Sequence, residues 1–299
     1  MTASAPPRVV LITRATEYAL LVRRHATHAQ AAFFLQTRGR SIDELLERHS
    51  RFEAARAHVI QAIPTKWRRS LVTRDDLDRF VFEPRDIVVA LGQDGLVANT
   101  AKYLRGQVVI GINPDPDQYD GVLVRHAPAQ ALRLMTAAST ERADVEERAM
   151  VEARLDDGQS LLALNEVFVG HRSHQSARYR IRSGELEERH SSSGVIVATG
   201  TGATGWARSV QRERRDVVAL PEPQESRLAF FVREAFPSVA TGTSLTAGTL
   251  QRDACLSLTS ELNEGGVIFG DGVEDDYLDF RWGMTARIRV ADTSLRLAR

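Results

Sequence analysis

A glycine-flanked aspartate follows an apolar run, and this pattern is typical of a turn that lies beside a phosphate. Residues 86–91 predict a buried strand, and Gly92-Gln93-Asp94-Gly95 comes directly after it. Glycines permit a tight turn and close approach of the backbone to an anion. The free N–H groups at the start of a following helix also favour anion binding. A carboxylate beside that anion, here Asp94, suits a base or a group that orients a hydroxyl nucleophile. An ordinary Asp-Gly turn is the alternative interpretation.

A second glycine-rich stretch, Thr199-Gly-Thr-Gly-Ala-Thr-Gly-Trp206, directly follows a predicted strand at 195–198. Its three threonine hydroxyls, on Thr199, Thr201 and Thr204, can hydrogen-bond a nucleotide, and Trp206 offers apolar or stacking surface. A flexible surface turn is the alternative. Its place between a buried strand and a Trp favours a ligand loop.

A polar pair, Asn165-Glu166, interrupts an otherwise apolar predicted strand at 161–169. Adjacent residues of a strand point to opposite faces, and a buried unpaired amide or carboxylate costs on the order of 1–3 kcal/mol. We therefore expect one of the two side chains to meet a polar partner. A strand end at which Asn165 faces a loop remains equally open.

Other chemistries are excluded by residue type. Only Lys66 and Lys102 are lysines among the 39 basic residues, and no Gly-Lys-Ser/Thr occurs, so a P-loop is absent. Any phosphate contact must then come from arginine, backbone N–H groups or one of these lysines. The single cysteine, Cys255, can form neither an internal disulfide nor a thiolate metal cluster.

Metal binding by side chains is not expected either. The histidine pairs lack a third ligand nearby, and the late acidic cluster lacks EF-hand spacing, so we expect that cluster to be a solvated loop. The residues in question are His25 and His28, His171 and His174, and Asp271, Glu274, Asp275, Asp276 and Asp279.

Length and charge narrow the class of protein. A chain of 299 residues with 39 basic and 39 acidic side chains and 43% hydrophobic residues is an ordinary globular composition, expected to form about two domains. Zero net charge argues against a general nucleic-acid binder. No apolar run approaches the ~20 residues of a membrane helix, and Met1–Pro7 lacks the features of a signal peptide, so we expect a cytoplasmic protein without a membrane partner.

The first part of the chain predicts a parallel α/β domain. Residues 8–13 form an apolar β-branched run, and Ser41-Ile-Asp-Glu44 resembles a capping box before a helix that Pro64 ends. The strand before Gly92 is followed by helical composition at 96–104 and a second apolar strand at 107–112, which together make a βαβ unit. We expect a Rossmann-like nucleotide-binding domain over residues 1–118.

The middle of the chain changes to short alternating segments separated by turns, such as Ser183-Gly184 and the stretch 263–266. We expect a β-sandwich-type all-β domain over residues 119–280, and a C-terminal strand at 281–299 that returns to the first domain. The predicted strands are 148–155, 161–169, 177–182, 194–199, 228–232, 254–259, 267–269 and the alternating residues 286, 288 and 290.

These motifs, in this order, resemble the NAD kinase family. That family carries Gly-Gly-Asp-Gly after a strand, an Asn-Glu pair and a Thr-x-Thr-Gly-Ser-Thr-type loop. Here they match Gly92-Gln-Asp-Gly95, Asn165-Glu166 and Thr199-Gly-Thr-Gly-Ala-Thr204. The resemblance is closer still to the mitochondrial-type branch, and it spans about residues 40–290. It rests further on Leu45-Leu-Glu-Arg-His49, Gly111-Ile-Asn-Pro-Asp-Pro116, Ala163-Leu-Asn-Glu-Val-Phe168, Ser192-Ser-Gly194 and Val232-Arg-Glu234.

The resemblance implies transfer of the terminal phosphoryl of ATP, with Mg²⁺, to the 2′-hydroxyl of the adenosine ribose of NAD, by homodimers or higher oligomers. Asp94 would be the base or orienter of that hydroxyl. The other site residues implied, as binders of substrate, are Gly92, Gln93, Gly95, Asn113, Asp115, Asn165, Glu166, Thr199, Thr201, Gly202, Thr204, Trp206 and Asp271.

Two positions depart from the family. Gln93 replaces a glycine and Leu96 replaces a threonine, and both changes bear on the choice of phosphoryl donor and on the rate. A non-catalytic NAD- or NADP-binding protein is therefore a second hypothesis. A lipid or sugar kinase of the wider superfamily ranks last, since those lipid kinases carry Gly-Thr-Gly-Asn-Asp where this chain has Gly200-Thr-Gly-Ala-Thr204.

Overall fold

The computed structural model describes residues 6–214 and 217–299, so Met1–Ala5, part of the N-terminal segment considered above, lies outside the described residues. Contacts divide the chain into two compact units. The first comprises Met1–Thr100, Gln107–Val145 and Leu297–Arg299, and the second comprises Ala101–Gly106 and Glu146–Arg296. The predicted domains, with boundaries at 118 and 280, remain a prediction, and the contact-based division falls at other positions.

The first unit is built on four parallel strands in the order β2-β1-β3-β4. The elements in chain order are β1 (Arg8–Thr13), α1 (Glu17–His25), α2 (His28–Gln36), α3 (Asp43–Ala62), β2 (Arg68–Thr73), β3 (Ile87–Leu91), α4 (Asp94–Ala101), β4 (Val108–Ile112) and α5 (Ala131–Ser139).

Burial explains why these strands form. Every residue of β3 is buried, as expected of a central parallel strand that is covered on both faces. One core cluster joins strands β1, β3 and β4 to apolar residues of α3 and α5, and Ala298 near the end of the chain packs into it. The strand–turn–helix–strand unit predicted around Gly92 is confirmed, with β3 and β4 parallel and in register from Ile87 opposite Val108.

The second unit is antiparallel. Its elements are β5 (Val145–Leu155), β6 (Ser160–Ala163), β7 (Glu166–His171), β8 (Ala177–Ser183), β9 (Leu186–Ser192), β10 (Val195–Ala198), α6 (Trp206–Arg212), β11 (Arg227–Val232), β12 (Ala247–Gln251), β13 (Leu256–Ser260), β14 (Gly266–Gly270), β15 (Val273–Asp279) and β16 (Thr285–Ala298).

Two sets of strands enclose its core. One is the six-stranded sheet β12-β11-β10-β7-β14-β15, and the other pairs β16 with β13, β13 with β8, and β8 with β9, while β5 pairs with β16 and β6. A single apolar cluster takes buried residues from both sets, among them Val167, Val197, Leu256 and Ile288. This is the sandwich arrangement predicted for the second part of the chain.

The structure corrects three local predictions. The predicted strand 161–169 is two strands, because the chain breaks at Leu164-Asn165 between β6 and β7. The Ser41 hydroxyl accepts from Asp43 N at 3.1 Å, so the reciprocal capping box with Glu44 is wrong. The acidic stretch is not a solvated loop: from Val273 it is strand β15, and Asp276 on that strand makes an ion pair.

Candidate active site

Asp94 is the first residue of α4, at the carboxyl end of β3, where open α/β sheets place their ligands. Its carboxylate is clasped by three consecutive backbone amides. Oδ1 accepts from Leu123 N at 2.8 Å and Val124 N at 3.1 Å, and Oδ2 accepts from Val122 N at 3.1 Å. The side chain is thus fixed in one orientation.

The loop that supplies these amides is held close to β4. A Cβ on Gly111 of β4 would lie 2.0 Å from the carbonyl oxygen of Leu123, so only glycine allows the approach. Leu123 and Val124 are buried, while Val122 is exposed. The loop therefore presents its amides to Asp94 from a rigid base.

Asn113 and Asp115 shape the turn after β4. The Asn113 side chain donates to Tyr119 O at 2.7 Å and accepts from Asp115 N at 2.9 Å. Asp115 is buried and forms an ion pair with Arg51 at 3.0 Å. Both polar groups are therefore used within the protein.

The two departures from the family pattern have different surroundings. Leu96 is buried, and its Cδ2 would lie 3.1 Å from a Cβ placed on Gly92, so it packs under the turn. Gln93 is exposed, and a Cβ on Gly95 would meet open space. Gln93 in place of glycine therefore alters the solvent-exposed side of the turn, whereas Leu96 in place of threonine alters its buried side.

A second carboxylate, Asp271 in the second unit, repeats the clasp. It accepts from Leu164 N at 2.9 Å, from Asn165 N at 2.6 Å and from Glu166 N at 3.4 Å. Asp271 and Gly272 have φ of 54° and 67° and join β14 to β15. Two central residues with positive φ make the type I′ hairpin turn for which Asp-Gly is favoured.

Glu166 and Asp271 influence each other's protonation. Burial raises the pKa of Glu166 to about 7, and the negative charge of Asp271 adds to the rise. Burial likewise raises the pKa of Asp271 to about 6, while its three backbone hydrogen bonds and the positive charge of Lys102 oppose the rise. Two acidic groups that titrate near neutrality therefore lie at the break between β6 and β7.

The threonine loop is held by its own hydroxyls. Thr199 Oγ1 donates to Leu164 O at 2.5 Å and accepts from Thr201 N at 3.1 Å and Gly202 N at 3.3 Å. Thr204 is exposed, and its Oγ1 donates to Thr201 O at 3.0 Å. Thr199 is thus saturated by protein partners, whereas Thr204 keeps room to accept a hydrogen bond.

Close backbone approach joins this loop to the polar pair. Thr199 N donates to Asn165 O at 2.9 Å, and a Cβ on Gly202 would lie 2.1 Å from that same oxygen. Glycine at 202 is therefore required. Three separate segments of the sequence come together around one strand break: Asn165 with Glu166, Thr199 with Gly202, and Asp271.

Trp206 belongs to an aromatic group beside the loop. Its ring stacks on Phe168 with centroids 6.0 Å apart, and Phe168 lies 4.9 Å from Phe269. The Arg233 guanidinium lies 5.2 Å from the Trp206 centroid, within cation–π range. The half-buried indole is held by an aromatic ring and a cation.

Sequence reasoning missed the ion pairs that support the site. Arg148, almost fully buried, lies 2.6 Å from Glu146 Oε1 and donates to Thr201 Oγ1 at 3.4 Å. Lys102, also buried, pairs with Asp276 at 2.6 Å. Glu146 and Arg148 are two positions apart in β5, but their burial and the contact of Arg148 with Thr201 could be found only from the fold.

Within the ranges the structure covers, no group of three or more His, Cys, Asp or Glu side chains is arranged to hold a metal ion. None of the helices in the described part of the chain is long and apolar enough to cross a membrane.

The fold is that of the NAD kinases. The NAD kinase of Archaeoglobus fulgidus, solved in complex with ATP, matches 98% of this chain and 93% of its own with a TM-score of 0.58 and 18% identity. Yeast NADH kinase complexed with NADH matches 98% of this chain and 84% of its own with a TM-score of 0.61 and 14% identity.

Sequence comparison confirms the resemblance to NAD kinases, including the mitochondrial type. NAD kinase 2, mitochondrial, of Rattus norvegicus is 29% identical over 258 residues, which is 69% of this chain and 61% of the relative. The NAD kinase of Chlorobaculum tepidum is 30% identical over 127 residues, covering 42% of this chain and 44% of that protein. This chain thus spans about 61% of the length of the rat relative. No protein-family model matches the sequence.

Proposed function

We propose that the protein is an NAD kinase, which transfers the terminal phosphoryl group of ATP or another donor to the 2′-hydroxyl of the adenosine ribose of NAD and so forms NADP. The similarity in sequence to NAD kinases and the fold of two solved relatives support this reaction. The observation that carries it is the clasped carboxylate of Asp94 at the start of α4, after the glycine turn.

Asp94 is proposed to accept the hydrogen bond of the attacking ribose hydroxyl. A carboxylate offers about four acceptor positions, of which the amides of residues 122–124 occupy three. The fourth, on Oδ2, is left for the hydroxyl. Phosphoryl transfer depends mainly on positioning and electrostatic stabilisation, so a rigid acceptor is well suited to orient the nucleophile.

The turn around Asp94 is proposed to border the phosphates of the donor. Gly92, Gln93 and Gly95 would lie against the triphosphate, since a Cβ on Gly95 meets open space at the start of the helix. Asn113 and Asp115 would contribute by fixing the neighbouring turn, because their polar groups already have protein partners.

The second cluster is proposed to bind the dinucleotide. Asn165, Glu166 and Thr204 have polar groups available, and the indole of Trp206 offers stacking surface. Other residues would act indirectly, by holding the backbone that carries these groups; they are Thr199, Thr201, Gly202 and Asp271.

Magnesium is proposed to arrive with the donor. The described residues form no metal cluster, and Mg²⁺ commonly keeps waters and binds through substrate phosphates with one or two carboxylates. Bound there, it would neutralise charge on the transferred phosphoryl. No residue of this chain is assigned as its ligand.

A donor and acceptor panel tests the proposal. Protein supplied with Mg²⁺ is incubated with NAD or NADH and with ATP, other nucleoside triphosphates or polyphosphate, and the position of the new phosphate is determined by NMR. We expect NADP phosphorylated at the 2′-oxygen. Tight dinucleotide binding without transfer from any donor would select the non-catalytic hypothesis, and transfer to a lipid or sugar alone would select the third.

A cytoplasmic location and a homodimer or higher homo-oligomer are also proposed. The relatives called NAD kinase 2 are mitochondrial by name, so cell fractionation is the direct test of location. Light scattering on the eluted protein tests the oligomeric state. A particle of 33 kDa would contradict the oligomer.

A further inference from the structure

Lys102 is one of two lysines in the chain, and it lies in the interior of the second unit. Its side chain is 4% exposed, and its Nζ lies 2.6 Å from Asp276 Oδ2. The Tyr103 hydroxyl donates to the same oxygen at 2.5 Å. Burying an ammonium group is costly unless a counter-charge is present, so this pairing is specific and Lys102 is not a free phosphate ligand.

Asp276 connects this pair to the proposed dinucleotide site. It lies on β15, which follows the hairpin turn formed by Asp271 and Gly272. Burial tends to raise the pKa of Asp276, but hydrogen bonds from Lys102 and Tyr103 and the Lys102 charge lower it overall. Asp276 therefore anchors β15 as an ionised group.

The same hairpin carries Asp271, whose carboxylate holds the amides at the strand break. Among the described residues, two charged groups interact with Asp271. The positive charge of Lys102 favours the ionised form of Asp271, and the carboxylates of Glu166 and Asp271 repel each other. An ionised Asp271 is a stronger acceptor for the three amides than a protonated one, whose O–H uses one of about four acceptor positions.

We propose that Lys102 is a positioning residue for the dinucleotide site: with Tyr103 it fastens Asp276 and, through the β14–β15 hairpin, seats the Asp271 carboxylate on the amides of Leu164 to Glu166. The proposal rests on the proposed function, since Asn165 and Glu166, which carry two of those amides, are assigned to NAD. Lys102 touches neither substrate nor reacting atoms and acts through Asp276 and Asp271.

The consequence is a defined dependence on pH. Asp271, with a pKa of about 6, is ionised through most of the neutral range in the native protein. Without Lys102 the pKa of Asp271 rises further, so the clasp is weakened in the neutral range and recovers at alkaline pH. Loss of a merely structural contact would weaken binding equally at every pH.

The test compares Lys102→Met with Lys102→Arg and with Lys66→Met, a change at the other lysine, which is exposed. Calorimetry measures the dissociation constant of NAD from pH 5.5 to 9. We expect Lys102→Met to weaken binding by about tenfold at pH 7 and much less at pH 9. The dissociation constant of Lys102→Arg should stay within about threefold of the native value at every pH, and that of Lys66→Met should equal the native value. A deficit independent of pH, or none, overturns the proposal.

A second readout needs no dinucleotide. Thermal unfolding of the ligand-free protein should show a Tm deficit of Lys102→Met that grows from pH 5 to pH 8, and adding Asp271→Asn should reduce that growth. If the Tm deficit grows with pH as expected but the native protein binds no NAD, the proposed function fails and the role of Lys102 in holding Asp271 stands. If Lys102→Met does not fold, Tyr103→Phe replaces it, with the same direction expected and a smaller shift.

Discussion

Two carboxylates in this protein are each held by three consecutive backbone amides, but in different electrostatic surroundings. Asp94 accepts from the amides of residues 122–124, and Asp271 accepts from those of residues 164–166. Asp94 stands at the start of a helix, where the helix dipole favours negative charge. Asp271 faces Glu166, and both have a raised pKa.

The same arrangement of amides can therefore serve two purposes. One acceptor position remains on Asp94, so we propose that this clasp presents a carboxylate to a reactant. The clasp of Asp271 is directed inward, because it fixes the backbone of Asn165 and Glu166, whose side chains are available instead. Under the proposed function, Asp94 would serve the transfer step and Asp271 the shape of the dinucleotide site.

The largest expected effect is that of Asp94→Asn. The amide can no longer offer acceptors on both sides, so the attacking hydroxyl loses its orienting partner. We expect turnover to fall by about 10²–10⁴-fold, the range for a positioned acid or base. Initial rates of NADP formation at saturating NAD measure the effect.

Asp120→Asn, at an exposed aspartate just before the loop that supplies the amides, is the matched control and should leave the rate within about twofold. Unchanged turnover in Asp94→Asn would remove Asp94 from the reaction.

Gly202→Ala should break the second cluster without touching the first. The new Cβ would lie 2.1 Å from Asn165 O, so the loop must move. We expect a loss of about 1–3 kcal/mol in the free energy of unfolding, as for other overpacked sites, together with weaker NAD binding. Denaturant unfolding and calorimetry measure the two effects.

Gly205→Ala separates the two causes, because its Cβ would have no neighbour closer than 3.6 Å, so any loss there comes from the backbone conformation of Gly205 (φ −106°, ψ −116°) and not from a clash. Equal losses in both variants would show that backbone conformation, and not the close contact, decides the cost.

Thr199→Val removes a hydroxyl that makes three hydrogen bonds inside the loop while keeping its volume. It leaves Leu164 O and two amides without a partner, which costs about 1–3 kcal/mol. Thr204→Val removes one exposed hydrogen bond and should cost less than about 0.5 kcal/mol. Chemical denaturation of both proteins checks the order, and a reversed order contradicts the assignment of Thr199 as the holder of the loop.

The last effect depends on pH. The pKa of Glu166 is raised from 4.5 to about 7, so the folded state keeps this proton longer than the unfolded state does. The stability it contributes is fully present below about pH 4.5 and is lost as pH rises through about 7. Glu166→Gln should therefore gain stability relative to the native protein between pH 5 and pH 8, on the order of 1–3 kcal/mol.

Thermal unfolding at several pH values measures that change. Glu187→Gln, at an exposed position on β9, should show no such trend. A trend shared by both variants would mean that Glu166 is not the group responsible.

Local patterns predicted much of the fold. Continuous apolar runs predicted β3 and β4, and the turn at Gly184, whose φ is 60°, predicted the β8–β9 hairpin. The helices α1 and α2, the edge strand β2 and the polar strand β15 were missed. The break at Asn165 was left open because its cause, the Asp271 carboxylate, lies more than 100 residues away.

The candidate site was predicted in part. The motifs located Asp94, the Asn-Glu pair and the threonine loop, but not how they are held. The amides of residues 122–124 carry no mark in the sequence, because any residue type can supply a backbone N–H. Lys102 and Asp276 are separated by 174 positions, so their pairing depends on the fold.

The most direct test of this division of roles is the dissociation constant of NAD, measured by calorimetry at pH 7.5 for the native protein, Asp94→Asn and Asp271→Asn. Asn is well suited to the type I′ turn, so Asp271→Asn keeps the hairpin and removes the charge. We predict that Asp94→Asn binds NAD within about threefold of the native protein and that Asp271→Asn binds it at least about tenfold more weakly. Normal binding by Asp271→Asn, or lost binding by Asp94→Asn, would contradict the account.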